Sequence, residues 1–169
     1  IPVPFLVGQS FIDTTSGLQV TVAAVAPDRS SATVNITLTC ARANPTVLPI
    51  GPSAPWGRPG DTRQYQFSIR NNDSPACGTS TFTFGPTNVP NGWTQVPVQF
   101  SATILPQQSV TVDVEITSSV TAADGYTLIT ERATNQALPA YFGQNSVTYK
   151  IDTVAPSVTI TNPIGGTNI

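Results

Sequence analysis

The feature that most constrains the fold of this chain is a two-residue alternation of apolar and polar side chains along short segments. Residues 110–116 alternate Val or Ile with Thr, Asp or Glu, and residues 32–40 alternate apolar residues with Thr or Asn. This period places every second side chain on the same face of a β-strand. Helical periodicity is almost absent, and only a single helical turn near 120–123 is expected. The alternation therefore predicts an all-β fold.

Turn residues divide the chain between 43 and 151 into about seven short strands. Such spacing is typical of an antiparallel sandwich of two sheets. The alternating apolar residues of these strands, which we expect in the core, include Tyr65, Phe67, Ile69, Phe82, Phe84, Val112, Val114, Ile116, Val147, Tyr149 and Ile151.

Residues 1–42 precede the predicted sandwich and carry a second pattern. Leu18, Val20 and Val22 form one half-buried strand, and residues 32–40 supply its partner. These strands predict an extra N-terminal β-hairpin. The hairpin either packs on the sandwich or belongs to the end of a preceding domain. At the other end, residues 152–169 indicate a linker followed by the start of a further module.

Charged residues are scarce and histidine is absent. The 169 residues include 7 basic and 9 acidic side chains. Such a chain lacks the basic patch that nucleic-acid binding requires, and no apolar run approaches the roughly 20 residues of a membrane span. Without histidine, the usual catalytic triads and common zinc sites cannot form. We therefore expect that the chain itself is not an enzyme.

One carboxylate pair deserves comparison with a catalytic arrangement. Asp113 and Glu115 lie on the same face of one predicted strand, about 6–7 Å apart by the strand rise, and glycosidase carboxylates can have such a separation. Both occupy the expected solvent face of a regular strand, with no sign of a cleft. An ordinary solvated face is the favoured interpretation.

The two cysteines, Cys40 and Cys77, are an even count consistent with one disulfide. The alternative is a pair of buried free thiols. A disulfide requires an oxidising compartment, so we expect a secreted or cell-surface protein.

Calcium is the one metal for which the sequence offers candidate ligands. Asp61, Asp73 and Asp124 lie in predicted turns, and loops at one end of a sandwich could supply the six to eight oxygens that calcium needs. The competing and favoured interpretation is that each carboxylate caps its own turn. No other cofactor is expected.

Exposed aromatic residues could stack on sugar rings. Trp56 lies in a loop rich in Pro and Gly, and Tyr141 and Phe142 lie in a turn near Pro139 and Gly143. These three are the candidates for carbohydrate binding. The competing and favoured interpretation for Trp56 is that it closes the open end of the sandwich.

Five short segments together resemble a family of accessory modules. They are residues 59–62, 71–72, 89–93, 105–112 and 124–126. The modules are the fibronectin type III-like and immunoglobulin-like sandwiches of secreted bacterial and archaeal hydrolases, such as the NEW3 modules associated with α-galactosidases. The resemblance covers roughly 45–150. It implies a non-catalytic module, with Trp93 anchoring the core and Tyr126 as a corner tyrosine. The family has glycine where this chain has Gln107 or Gln108, which leaves that turn type open.

Two shorter resemblances concern the ends of the chain. Residues 8–22 resemble the β-segment that trails the catalytic domain of secreted metallopeptidases, and residues 152–163 resemble the opening of bacterial immunoglobulin-like repeats. Together they imply a piece of a longer secreted protein. We expect a spacer that positions a catalytic unit, with neighbouring domains of the same polypeptide as its partners. The alternative is a module that binds carbohydrate or the cell wall through exposed aromatic residues.

Overall fold

The computed structural model describes residues 6–52, 55–154 and 157, which contain twelve β-strands and no helix. The first three strands form an antiparallel sheet in the order β1-β2-β3, here called the N-terminal sheet. Its strands are β1 (Ser10–Asp13), β2 (Leu18–Val25) and β3 (Ala32–Leu38). The predicted hairpin of β2 and β3 is present, and β1 extends it along the other edge of β2.

The remaining strands form two sheets that pack face to face. The front sheet, in the order β4-β6-β10-β8, consists of β4 (Thr46–Ile50), β6 (Thr62–Arg70), β8 (Thr94–Val96) and β10 (Ser109–Thr117). The back sheet, in the order β5-β12-β11-β7-β9, consists of β5 (Trp56–Gly57), β7 (Ser80–Asn88), β9 (Phe100–Ile104), β11 (Gly125–Asn135) and β12 (Phe142–Ile151). The prediction of an all-β immunoglobulin-like sandwich is confirmed. One difference is the short pairing of β5 with β12, which is parallel.

The hydrophobic core lies between the front and back sheets. Its buried members are Val47, Tyr65, Phe67, Ile69, Phe82, Phe84, Ile104, Val112, Val114, Ile116, Ile129, Ala133, Val147, Tyr149 and Ile151. The rings of Phe67 and Phe84 meet across the two sheets, with centroids 5.4 Å apart. Trp93 packs against this core, edge-on to Tyr149 at 5.0 Å. The residues expected inside from the two-residue alternation are therefore inside.

The N-terminal sheet follows the expected alternation, but its apolar side is exposed. The register places seven apolar residues on one side, here called the N-terminal apolar face: Phe11, Leu18, Val20, Val22, Val34, Ile36 and Leu38. Ile36 and Leu38 are 66% and 64% exposed, and only Val22 of the seven is buried. The other side carries polar residues such as Thr21 and Asn35. Within the described part of the chain, the apolar face therefore has no second layer.

Two local expectations differ from the structure. The helical turn expected near 120–123 is a β-turn, in which the N–H of Ala122 donates to the carbonyl of Ser119 at 3.0 Å. Tyr126 is not a corner tyrosine, because its position in β11 has the opposite phase to the buried Ile129 and its ring points to solvent. Other tyrosine hydroxyls bond to distant backbone: that of Tyr149 donates to the carbonyl of Asp61 at 2.8 Å, and that of Tyr65 donates to the carbonyl of Thr148 at 3.3 Å. The start of a further module expected after 157 lies outside the described residues.

Candidate binding surfaces

A disulfide between Cys40 and Cys77 joins the end of the N-terminal sheet to the loop between β6 and β7. This confirms the pairing expected from the cysteine count. Hydrogen bonds reinforce the junction: the N–H of Ser74 donates to the carbonyl of Ala41 at 2.9 Å, and the hydroxyl of Ser74 accepts from the N–H of Ala41 at 3.0 Å. The N-terminal sheet is thus fastened to the sandwich by covalent and backbone contacts.

Asp73 organises the same junction. Its carboxylate is buried and accepts from the guanidinium of Arg42 at 2.7 Å, the hydroxyl of Ser80 at 2.8 Å and the N–H of Ala43 at 2.9 Å. Burial alone would raise the pKa of Asp73. The bonds from Ala43, Arg42 and Ser80 outweigh it and hold that pKa below its usual value. This carboxylate therefore has a structural role, as in the favoured interpretation that each of the three carboxylates caps a turn.

The three carboxylates considered for calcium do not form one site. Asp61 precedes β6 and Asp73 follows it, so the nine-residue strand separates them by roughly 30 Å at the usual rise per residue. Asp61 accepts from the guanidinium of Arg63 at 2.9 Å, and Asp124 accepts from the N–H of Thr153 at 3.0 Å. Among the described residues, no group of three or more acidic or cysteine side chains has the arrangement of a metal site. A calcium site containing all three is excluded by this separation.

Trp56 is held outward by its position in β5. The next residue, Gly57, faces the core, where a Cβ atom would lie 2.5 Å from the hydroxyl of Tyr149. The carbonyl of Trp56 accepts from the side chain of Arg63 at 2.6 Å, and β5 pairs with the end of β12. The indole is 62% exposed. It therefore does not close the sandwich core.

The register of the back sheet places Trp56 in a row with two other side chains. Lys150 of β12 is the partner of Trp56 on one side and of Tyr126 of β11 on the other. All three point away from the core, and the ring of Tyr126 is 72% exposed. The ammonium of Lys150 lies 5.7 Å from the centroid of that ring. We call Trp56, Lys150 and Tyr126 the aromatic row.

The other two aromatic candidates lie elsewhere. Phe142 begins β12, eight positions from Lys150, which corresponds to roughly 26 Å along the strand. The guanidinium of Arg132 lies over its ring at 4.2 Å and also bonds to the side chain of Gln144. Tyr141 is half buried in the preceding turn, where its N–H donates to the carbonyl of Leu138 at 2.9 Å. These two rings cannot share a ligand subsite with Trp56.

Sequence reasoning missed Tyr126 and Lys150 as members of the same surface as Trp56. The strand phase was available, since Ile129 and Ala133 mark the buried side of β11. The pairing that brings β5 beside β12 is a short parallel contact made by a loop segment, and neither alternation nor turn chemistry reveals it.

Asp113 and Glu115 lie on the solvent side of β10, as expected. The amide of Gln66 donates to Asp113 at 2.8 Å, and the amide of Gln64 donates to Glu115 at 3.1 Å. Each carboxylate is thus paired with a neighbouring strand residue on an open sheet face, which is the arrangement of a solvated surface.

The carboxyl group with the most perturbed environment is Glu131 in the sandwich interior. Its side chain is fully buried, and burial raises its pKa to about 7. The nearby Gln95 side chain acts in the opposite direction without outweighing burial, and neither carboxylate oxygen of Glu131 has a hydrogen-bond partner among the described residues. Sequence analysis did not single out Glu131; its place among the inward positions of β11 was the available signal.

Comparisons with known proteins bear on this chain only distantly. No protein-family model and no curated protein matches it. Among solved structures, it is similar to an ASH/PapD-like domain of human CEP192, with 9% identity and a TM-score of 0.40 over 69% of this chain and 89% of that domain. It is also similar to AvmM, which catalyses macrocyclization in alchivemycin A biosynthesis, with 11% identity and a TM-score of 0.40 over 69% of this chain and 93% of that one.

A third similar structure is the periplasmic chaperone SfaE, with 13% identity and a TM-score of 0.36 over 66% of this chain. The chain spans 59% of the length of that chaperone. Likenesses at these identities and TM-scores give no information about function. Separately, the part of the chain that the structure describes contains no helix long and apolar enough to span a membrane.

Proposed function

We propose that this chain is a non-catalytic accessory module of a secreted multidomain protein and that it is joined rigidly to a neighbouring domain of the same polypeptide. The observation that carries the proposal is the N-terminal apolar face, which is exposed although its sheet is fastened to the sandwich. The resemblance of residues 45–150 to accessory modules of secreted bacterial hydrolases supports a hydrolase as the parent protein. In that role the sandwich positions the catalytic unit.

The size of the N-terminal apolar face favours a tethered partner. The three strands contain 4, 8 and 7 residues, which gives the sheet a planar area of roughly 300 Å² from the usual strand spacing and rise. A standard stable interface buries about 800 Å² on each partner. The face alone is therefore too small to hold a free partner tightly. A domain of the same polypeptide acts at an effective concentration in the millimolar range and needs less contact area.

The junction between the N-terminal sheet and the sandwich is suited to transmit orientation. Three kinds of contact begin within a few residues of the end of β3: the disulfide, the ion pair of Arg42 with Asp73, and the two hydrogen bonds of Ala41 with the N–H and the hydroxyl of Ser74. A domain packed on the apolar face would inherit this fixed orientation. A disulfide also favours an extracellular location for the module.

Hydrogen exchange tests the proposal. The amides of β2 and β3 are compared in this chain and in the longer polypeptide that includes the preceding domain, and we expect at least about tenfold slower exchange in the longer form. The double variant Ile36→Asn/Leu38→Asn should lose this protection, whereas Thr37→Asn, on the opposite side of β3, should keep it. Equal exchange in both forms would overturn the proposal. Concentration-dependent dimerisation abolished by Ile36→Asn would assign the face to a second copy instead.

A second function, polysaccharide binding, is favoured by one specific observation. Trp56 and Tyr126 are large aromatic side chains, both strongly exposed on one face of the back sheet. Tyr and Trp are enriched at interfaces, because each combines a large apolar ring with a hydrogen-bonding group. Retention of the chain on insoluble polysaccharides, compared with Trp56→Ala, tests this function, and absence of retention on every polymer would remove it.

A further inference from the structure

We infer that the aromatic row binds an extended, uncharged, β-linked polysaccharide whose chain runs across the strands, from β5 over β12 to β11. This inference rests on the second function proposed above. It adds the position of the site, the direction in which the polysaccharide runs and the requirement that the polysaccharide be uncharged.

The spacing of the row sets the direction of the ligand. Trp56 and Tyr126 are two strands apart with Lys150 between them, which separates their backbones by about 9.6 Å. In an extended β-1,4-linked chain, alternate pyranose rings present the same face, and their separation is close to this distance. Rings one and three of a trisaccharide unit can therefore contact Trp56 and Tyr126 together.

The chemistry of the row suits a pyranose ring. The C–H bonds on a sugar face carry partial positive charge and are attracted to the negative face of an aromatic ring. Lys150, between the two aromatic residues, offers three N–H donors to the hydroxyl groups of the central sugar. The adjacent row of the same face contains Leu128 and Thr148, which are paired in the sheet and add one apolar and one hydroxyl contact.

Local charge does not favour an anionic polymer. Asp124 immediately precedes β11 and Asp152 immediately follows β12. Each lies two positions along its strand from a member of the aromatic row, Asp124 from Tyr126 and Asp152 from Lys150. Their carboxylates accept from the backbone N–H groups of Thr153 and Val154 at 3.0 Å each. Lys150 and Arg58, which lines the same surface depression as Asp152, balance these two carboxylates, so this end of the sheet carries no net charge. A polyuronate would gain no net attraction here, and recognition would rest on the uncharged faces of the sugar rings.

The opposite end of the same sheet face supplies an internal control. Arg132 and Phe142 form a second cation–aromatic pair there, but the guanidinium lies directly over the ring at 4.2 Å and the ring is only 39% exposed. That pair is satisfied within the protein. The inference therefore assigns binding to the aromatic row and not to Phe142.

The test uses retention and affinity measurements on the intact chain with cellulose, its soluble oligosaccharides and polygalacturonate. We expect retention on cellulose that changes little with added salt, and affinity that rises steeply between the disaccharide and the trisaccharide. Trp56→Ala and Tyr126→Ala should each weaken binding by about tenfold or more, the effect of losing about 1.4 kcal/mol. Phe142→Ala and Arg29→Gln, which lie outside the row, should bind as the unmodified chain does.

Each alternative result has a distinct meaning. Trp56-dependent retention on polygalacturonate but not on cellulose would overturn this inference while leaving polysaccharide binding in place. Retention on cellulose that is indifferent to both Trp56→Ala and Tyr126→Ala would overturn the assigned site. Absence of retention on all of these polymers and on xylan, mannan and chitin would overturn both the inference and the function on which it rests.

Discussion

At the scale of single residues, the most informative side chain is one that breaks the apolar pattern of the core. Glu131 occupies an inward position of β11 and is fully buried, opposite Gln95 of the front sheet. A buried carboxyl group without hydrogen bonds is much less costly when protonated. The neutral form is therefore favoured in the folded state up to a pH of about 7, the pKa of this group.

This pKa gives stability a specific pH dependence. The folded pKa of about 7 exceeds the reference value of 4.5. The contribution of protonated Glu131 to the free energy of unfolding is therefore complete below about pH 4.5. It decreases as pH rises and is lost above about pH 7, a change on the order of 3 kcal/mol. Urea unfolding from pH 4.5 to 8 should show this decrease. In Glu131→Gln the decrease should be absent, while Glu115→Gln, on the solvent side of β10, should keep it. An identical pH profile for Glu131→Gln and the unmodified chain would contradict the assignment.

Gln107 shows a different conflict between backbone and side chain. Its φ of 64° lies in the left-handed region, which costs a non-glycine residue roughly 1–2 kcal/mol. Its side-chain amide compensates by donating to the carbonyls of Asp73 at 2.7 Å and Asn72 at 3.1 Å. The turn type that the sequence left open is therefore one with a positive φ at Gln107.

Substitution at this position should separate the two effects. Gln107→Gly loses the amide bonds but relieves the backbone, so its free energy of unfolding should stay within about 1 kcal/mol of the unmodified value. Gln107→Ala loses the bonds and keeps the strained φ, and should be less stable than Gln107→Gly by about 1 kcal/mol. Urea denaturation measures both. Equal stability of the glycine and alanine variants would show that the left-handed backbone carries no cost.

The residues of the proposed binding surface were only partly predictable at this scale. The loop around Trp56 allowed two interpretations, and the favoured one, that the ring closes the sandwich, was wrong because the ring is exposed. The partners of Trp56 were not predicted, because they depend on which edge strand the loop pairs with. Phe142 has the same sequence signal as a stacking residue, but Arg132 covers its ring. An apolar ring in a turn does not reveal whether a cation already occupies its face.

At the scale of strands, the alternation was sufficient to predict the buried residues where the strand belongs to a sheet that packs against the other sheet of the sandwich. β6, β10 and β12 have the inward residues that their two-residue period predicts. The same pattern in β3 correctly predicts the phase but not the burial, because burial depends on a second layer that a strand's own sequence does not encode. The expected turn of helix at 120–123 was wrong because one local turn can close with a single hydrogen bond without continuing as a helix.

The disulfide is the element-level contact with the largest expected effect. It links positions 37 residues apart, and the loop-entropy model gives about 4 kcal/mol for a closed loop of this size. The free energy of unfolding of the double variant Cys40→Ser/Cys77→Ser should be lower by most of this amount. Urea denaturation of the sandwich measures the difference as a lower midpoint. Reductant should lower the midpoint of the unmodified chain and leave that of the double variant unchanged. Unchanged midpoints in both would show that β4 and β6 hold the closed loop without the bond.

At the scale of the whole molecule, two sheet systems of unequal burial share one chain. The sandwich encloses fifteen buried apolar residues, whereas the N-terminal apolar face has one, Val22. Regions with few buried contacts open locally at low free energy, without global unfolding. The N-terminal sheet should therefore behave as a separate, less stable unit in the isolated chain, even though the disulfide keeps its end linked to the sandwich.

The same substitution in both units tests this division. Val114 is fully buried in β10, and Val34 is 44% exposed in β3. Val114→Thr buries a hydroxyl in the core and should lower the free energy of unfolding of the sandwich by about 2 kcal/mol. Val34→Thr should change it by less than about 0.5 kcal/mol and alter hydrogen exchange only within β1 to β3. If Val34→Thr destabilised the sandwich as much as Val114→Thr, the two sheet systems would form one cooperative unit, and the N-terminal apolar face would be part of its core rather than a surface for a neighbouring domain.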